Sequence, residues 1–229
     1  MIDLRQGDCL QLMNNIDFNK AIIVSDPPFN IGYKYRTYKD KLKKEEYYNL
    51  INKIFKNRKS VIIHYPEQMH EISINFGYGP LKEISWVYNS NTGKQHRNIA
   101  FYNIKPDMSK VRQPYKNLND RRIKERIARG CLGAKLYDWW NINQIKNVSK
   151  EKTEHPCQMP LEVMKNIIGV LPDDAIIVDP FMGSGTTGVA ILEMNKIQNA
   201  HRSFIGIELD EKYFEIAKNR IEGVWCENI

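Results

Sequence analysis

Apolar residues fall in short runs separated by longer amphipathic stretches. Ala21-Ile22-Ile23-Val24 is unbroken and stops at Ser25-Asp26-Pro27-Pro28, which predicts a buried strand ended by a proline pair. Val61-Ile62-Ile63, Ala175-Ile176-Ile177-Val178 and Ser203-Phe204-Ile205-Gly206-Ile207 read the same way. Residues 82–88 and 98–104 alternate apolar with polar, which predicts two more strands in a hairpin around Asn91-Thr92-Gly93. Helical spacing recurs at 44–56, 161–170, 186–196 and 211–222. Strands alternating with helices predict one α/β domain over residues 1–229, a mostly parallel sheet with helices on both faces. Residues 105–150 are poorest in apolar periodicity and are expected to form an inserted lobe on that sheet.

Composition narrows the classes. At 42% hydrophobic and 27% charged, the 229 residues can bury a core, so wholesale disorder is excluded. No apolar run approaches the ~20 residues of a membrane helix. The first eight residues lack the basic and apolar segments of a secretory signal, so membrane and secreted readings are poor. Four cysteines lie far apart with no Cys-x-x-Cys pair, which argues against a disulfide framework or zinc ribbon and suits a reducing cytoplasm. No metal site is expected: His155 and Cys157 have no second pair at ligand spacing. His64 and His70 are expected to be satisfied or exposed.

The net charge of +7 is concentrated. Residues 30–60 carry ten basic and three acidic residues, and 105–150 carry twelve and four; the remainder is acidic. Tyrosines are interleaved with both basic segments, and Trp139, Trp140 and many asparagines with the second. Clustered cations release counterions from a polyanion, and aromatics and amides suit bases, so nucleic acid fits better than a membrane surface. Two solvated helix faces are the plain alternative.

Gly183, Gly185 and Gly188 form a G-x-G-x-x-G that follows a predicted strand and opens a predicted helix. Glu208 lies twenty residues after Gly188, at the end of the next strand, where a carboxylate takes ribose hydroxyls in nucleotide-binding folds. Asp179-Pro180-Phe181-Met182 separates the strand from the first glycine. A carboxylate and an aromatic there suit a ligand with an ammonium group and no pyrophosphate, such as S-adenosylmethionine. The absence of Gly-Lys-Ser/Thr excludes a triphosphate loop. An NAD enzyme would leave the basic segments unexplained.

Asp26-Pro27-Pro28-Phe29 is either a strand terminator or a chemical site. An exocyclic amine on a base is a poor nucleophile, because its lone pair is delocalised into the ring. A carboxylate and a backbone carbonyl that both accept hydrogen bonds from it favour a localised lone pair. Prolines stiffen the backbone presenting that carbonyl, and an aromatic can stack on a flipped base. Asp26 is the first expected acceptor, the Pro27 carbonyl the second, and Phe29 the platform.

In these motifs the chain resembles the amino-methyltransferases of DNA, whose (Asp/Asn/Ser)-Pro-Pro-(Tyr/Phe) tetrad and Phe-x-Gly-x-Gly loop match Asp26–Phe29 and Phe181–Gly185. Tetrad first and glycine loop last is the permuted order of the beta class. Three further stretches are similar: Gln6-Gly7-Asp8-Cys9-Leu10, His155-Pro156-Cys157-Gln158-Met159-Pro160-Leu161, and Gly206-Ile207-Glu208-Leu209-Asp210 with Tyr213, Ala217 and Arg220. The resemblance covers about residues 2–65 and 150–223. It implies a Rossmann-like methyltransferase fold and a small basic target-recognition region at 105–150. It also implies S-adenosyl-L-methionine as cofactor, held by Asp8, Cys9, Cys157, Gln158, Asp179, Phe181, Gly183, Ser184, Gly185, Thr186, Glu208 and Leu209.

The implied reaction is methyl transfer to an amine of DNA. A leading Asp favours N6 of adenine; N4 of cytosine and adenine in RNA stay open, and a catalytically silent nucleic-acid-binding subunit is the non-enzymatic alternative. Lys34, Arg36, Arg112, Tyr115, Lys116, Arg121 and Arg122 are the expected nucleic-acid contacts, on duplex DNA. The resemblance further implies a cytoplasmic protein of a prokaryotic or phage-infected cell, with a homodimer and a restriction endonuclease partner as open expectations. Met159 replaces the family's usual Lys, and Phe29 stands where Tyr is commoner. Cys157 follows a proline, as in cytosine-C5 enzymes, but the order of motifs is wrong for that class.

Overall fold

The computed structural model describes every residue except 132, 147, 148, 150 and 227–229. Its strands are β1 Ile2–Gln6, β2 Ala21–Ser25, β3 Ser60–His64, β4 Lys82–Val87, β5 His96–Tyr102, β6 Arg112–Gln113, β7 Ala134–Lys135, β8 Trp139–Asn141, β9 Ile176–Asp179 and β10 Ser203–Glu208. Its helices are α1 Cys9–Leu12, α2 Lys44–Phe55, α3 Pro66–Phe76, α4 Arg121–Ala128, α5 Leu161–Gly169, α6 Thr186–Gln198 and α7 Glu211–Cys226.

Eight strands form one sheet in the order β1-β10-β9-β2-β3-β5-β4-β8. Seven of these run the same way, and β5, antiparallel to both β3 and β4, is reversed. The apolar runs are continuous because both faces of the central strands are covered. Ile22 and Val24 of β2 and Val61 and Ile63 of β3 face α5, α6 and α7. Ala21, Ile23 and Ile62 face α2 and α3. Adjacent residues thus serve opposite cores, as the two-residue period requires.

All six predicted strands and all four predicted helices form, with ends shifted by a few residues. Helix α3 lies in a stretch with no helical expectation, although Pro66 at its first turn and left-handed Gly77 after its last mark it as a helix. The predicted lobe divides. Strand β6 pairs with β7 as a small ribbon, and the exposed α4 lies between them in sequence. Strand β8 instead joins the main sheet beside β4, with Trp140 buried and the Trp86 indole donating to the Ile142 carbonyl at 2.7 Å. The residues 132, 147, 148 and 150 of that lobe lie outside the described chain.

From β2 the chain winds toward β3, whereas β9 and β10 continue in the opposite direction. The strand order therefore reverses between β2 and β9, where ligands enter such sheets beyond the carboxyl ends of the strands. Asp26 directly follows β2, Asp179 ends β9 and Glu208 ends β10. Three carboxylates thus stand along three neighbouring strand ends.

Candidate active site

A cavity of about 380 Å3 opens at this switch point. The tetrad, Gly183, Ser184, Thr186 and Thr187 of the glycine turn, Asp8, Cys9, Cys157, Glu208 and Leu209 all line it. Every expected catalytic residue and every expected cofactor residue except Gln158 and Gly185 lies on this wall. The Gln158 amide is turned into its own loop, accepting from Thr153 and donating to the Glu151 carbonyl. In this structure the Gln158 side chain braces its own loop and does not line the cavity. Gly185 serves the turn behind the wall, as described below.

Asp26 is nearly enclosed, and its Oδ2 lies 3.4 Å from an Arg97 guanidinium nitrogen. Burial pushes its carboxyl up to about 6, with Arg97 pulling the other way and Asp179 adding to the rise. The Pro28 carbonyl accepts from the Tyr47 hydroxyl at 2.9 Å, and that hydroxyl also meets His64 Nε2 at 2.8 Å. His64 Nδ1 accepts from the Tyr65 amide, so Nε2 carries the proton and the chain runs His64 to Tyr47 to Pro28. Burial and nearby Arg97 hold His64 down to about 3, which keeps it neutral. The Phe29 ring is buried and stacked on His64 at 4.2 Å, edge-on to Tyr65, with Arg97 over it at 4.7 Å. The expected platform is thus already engaged on its own side chains.

The glycine turn is built as much by packing as by any ligand. Gly185 is left-handed at φ 75°, and a Cβ there would sit 3.0 Å from Ala217 of α7. A Cβ at Gly188 would meet Ile221 at 2.5 Å. These glycines let α6 approach α7, while Gly183, left-handed at φ 52°, faces the His155 ring. Arg220 of α7 reaches back to the Ser184 carbonyl at 3.2 Å and Thr186 Oγ1 at 2.8 Å, fixing the turn.

The carboxylates divide into braces and open groups. Asp179 accepts from Ser25 Oγ at 2.8 Å and Thr187 Oγ1 at 2.5 Å, tying β2 to α6 behind the cavity. Burial nevertheless raises it to about 6. Glu208 accepts from the Gly183 and Asp210 amides, one on each oxygen. Asp8 caps α1 with Oδ1 alone. Burial and Asp8 push the Cys9 thiol up to about 12, so it is no nucleophile.

The 30–42 loop closes one side. The buried Asp40 carboxylate accepts from the amides of Asn30, Ile31 and Tyr33, and the Asn30 side chain bonds Leu42 in both directions. Tyr33, Tyr35 and Tyr38 project into the cavity from this braced loop. Arg36 ties it to Asp210 at 3.5 Å and so is partly committed, while Lys34 is exposed.

A family model described as DNA methylase matches residues 21–219. The chain belongs to the DNA methylase family. Type II methyltransferase M.HpaI of Haemophilus parainfluenzae is 25% identical over 248 residues, covering 94% of this chain and 73% of that protein. DNA adenine methyltransferase YhdJ of Escherichia coli K12 is 26% identical over 248 residues, covering 94% and 81%. Among solved structures, the M1.HpyAVI–SAM complex superposes with a TM-score of 0.63 at 23% identity, covering 96% of this chain and 99% of that one.

Arg112, Tyr115, Lys116, Arg121 and Arg122 gather on the β6–β7 ribbon and α4, away from the cavity wall. Arg121 and Arg122 are 89% and 83% exposed, and α4 buries none of its residues. Lys116 lies over the Trp139 and Tyr137 rings at 4.5 and 5.1 Å, so these aromatics carry a cation on their faces. Arg97, Tyr47, His64 and Tyr65 were not among the expected site residues. They come from separate elements, and no linear motif joins them to the tetrad.

Proposed function

We propose that this DNA methylase transfers a methyl group from S-adenosyl-L-methionine to N6 of adenine in DNA. The observation that carries the proposal is the common cavity: the Asp26–Phe29 tetrad and Gly183, Ser184, Thr186 and Thr187 of the glycine turn line the same space at the strand-order reversal. The residues present suit this donor. Six carboxylates line the cavity and suit a cationic ligand, and Glu208 stands at the strand end where ribose hydroxyls are taken. Asp8 keeps one oxygen free beside them. The donor, when bound, supplies the electrophilic methyl group.

The rest of the chemistry belongs to the chain. Asp26 accepts from the amine of a flipped base, and the Pro27 carbonyl accepts the second amine proton. Tyr47 holds the next peptide through the Pro28 carbonyl, so the acceptors are set before the base arrives. The amine proton leaves to water after the methyl has moved. Cys157, Phe181, Ser184, Thr186 and Leu209 wall the donor's side. Lys34 and the α4 arginines grip phosphates. The name of YhdJ and the leading Asp of the tetrad both support adenine as the base.

The test is methyl transfer from labelled S-adenosyl-L-methionine to unmethylated DNA and, in parallel, to RNA. Label in DNA alone is the expected result; label in RNA alone would overturn the proposal.

A further inference from the structure

Arg97 is the lone Lys or Arg among the described residues that line the cavity, against six carboxylates. A cation is out of place where a cationic donor is to be held, so its position calls for another purpose. It stands at the tetrad end, 3.4 Å from Asp26 Oδ2 and 3.6 Å from Met159 Sδ. Three rings hold its guanidinium: Phe29 at 4.7 Å, Trp86 at 5.3 Å and Tyr65 at 5.6 Å. Opposite Trp86 in the β4–β5 ladder, its backbone is fixed as well. A caged guanidinium of this kind is a preorganised donor rather than a mobile gate.

Two atoms of this ion pair remain unused. Asp26 Oδ1 and Arg97 Nε are both buried and both without a hydrogen-bond partner. A buried acceptor and a buried donor left open in one contact pair are costly unless a ligand fills them. Together they complement a base edge that shows an amine beside an acceptor nitrogen. Adenine (N6 and N1) and cytosine (N4 and N3) carry that edge. Thymine, uracil and hypoxanthine would set a carbonyl oxygen against the carboxylate.

Resting on the proposed function above, we propose that Arg97 is a specificity-determining residue. It donates to the ring nitrogen beside the exocyclic amine while Asp26 accepts from the amine itself. Arg97 also faces Tyr88 and Tyr65, and Asp26 is the leading group that balances its charge.

The experiment uses a duplex bearing the recognition sequence, mapped from DNA methylated by the wild-type protein. In a second duplex the target adenine is replaced by 1-deazaadenine (3-deazacytosine if cytosine proves the target). Arg97→Met and Arg97→Lys are compared with wild type for donor affinity by calorimetry, and for kcat and KM across pH. Expected are unchanged donor affinity and a fall in kcat/KM of roughly ten- to a hundredfold for Arg97→Met, as for a missing base-edge hydrogen bond. Arg97→Lys should recover only part of it, and raising the pH should recover none. Wild type should lose a similar factor on the deaza duplex, and Arg97→Met should lose nothing further.

Wild type indifferent to the deaza base, or a variant as sensitive to it as wild type, would overturn the proposal. Full rescue of Arg97→Met at high pH would also overturn it, since Arg97 would then act only by keeping Asp26 ionised. If Arg97→Met fails to bind donor, Arg97→Lys alone carries the deaza comparison. Wild type that methylates no DNA at all would instead be a failure of the functional reading.

Discussion

The Tyr47 hydroxyl lies 2.9 Å from the Pro28 carbonyl and 2.8 Å from His64 Nε2. Tyr47 is on α2 and Pro28 follows β2, so this bond fixes the tetrad peptide from outside the tetrad. Removing it by Tyr47→Phe leaves a carbonyl and an imidazole N–H with one partner fewer, at a cost of about 1–3 kcal/mol. The expected outcome is a drop in thermal stability with kcat reduced several-fold and donor affinity unchanged. Melting curves beside single-turnover rates check it; an unaltered kcat would show that the Pro28 carbonyl needs no brace.

Asp26 sets the acid side of the pH profile. Its carboxyl is raised to about 6, and the ionised form is the stronger acceptor for the amine hydrogen that Asp26 takes. Activity should therefore fall as pH drops through about 6, tenfold per unit below it, and level off above. Asp26→Ala should abolish methyl transfer, with donor binding retained. Rates measured from pH 5 to 8 test the limb, and a flat wild-type profile over that range would contradict this role for Asp26.

Gly188 separates packing from ligand contact. A Cβ there would press on Ile221 and Phe204 and would not enter the cavity. Gly188→Ala should destabilise by about 1–3 kcal/mol through overpacking. Denaturant titration should show the loss, while donor affinity per folded molecule stays the same. A donor affinity that fell with stability intact would place Gly188 on the ligand instead.

Arg121 and Arg122 test the polyanion surface without touching the core, since α4 buries nothing. Replacing both by Ala should leave the melting temperature in place and weaken DNA binding at low salt. The slope of log affinity against log salt should flatten by about 0.9 for each phosphate that is no longer neutralised. Binding isotherms at several salt concentrations would show it, and an unchanged slope would mean that α4 points away from DNA.

The legible parts were those in which neighbours in sequence are neighbours in space. Continuous apolar runs marked β2, β3, β9 and β10 because both of their faces are buried. The tetrad and the glycine turn each occupy a few consecutive residues at a strand end. Arg97 was not legible: it is 71 residues from Asp26 and meets it only because β5 reverses beside β3. Strand β8 has three residues, too few for any period, and its Trp139-Trp140 pair splits between an exposed ring and a core ring. Gln158 sits inside a recognisable segment, yet the side chain turned inward, which a linear motif does not report. Asp179 was expected on the ligand, and its neighbours Ser25 and Thr187 show it to be a brace as well.

The central claim is the reaction itself, and one measurement reaches it most directly. Unmethylated DNA is incubated with the protein and S-adenosyl-L-methionine, digested to nucleosides and analysed by mass spectrometry, with Asp26→Ala as control. N6-methyladenine from the wild type and none from the variant is the predicted result. N4-methylcytosine would contradict the assignment of the base, and equal methylation by both proteins would contradict the role of the tetrad.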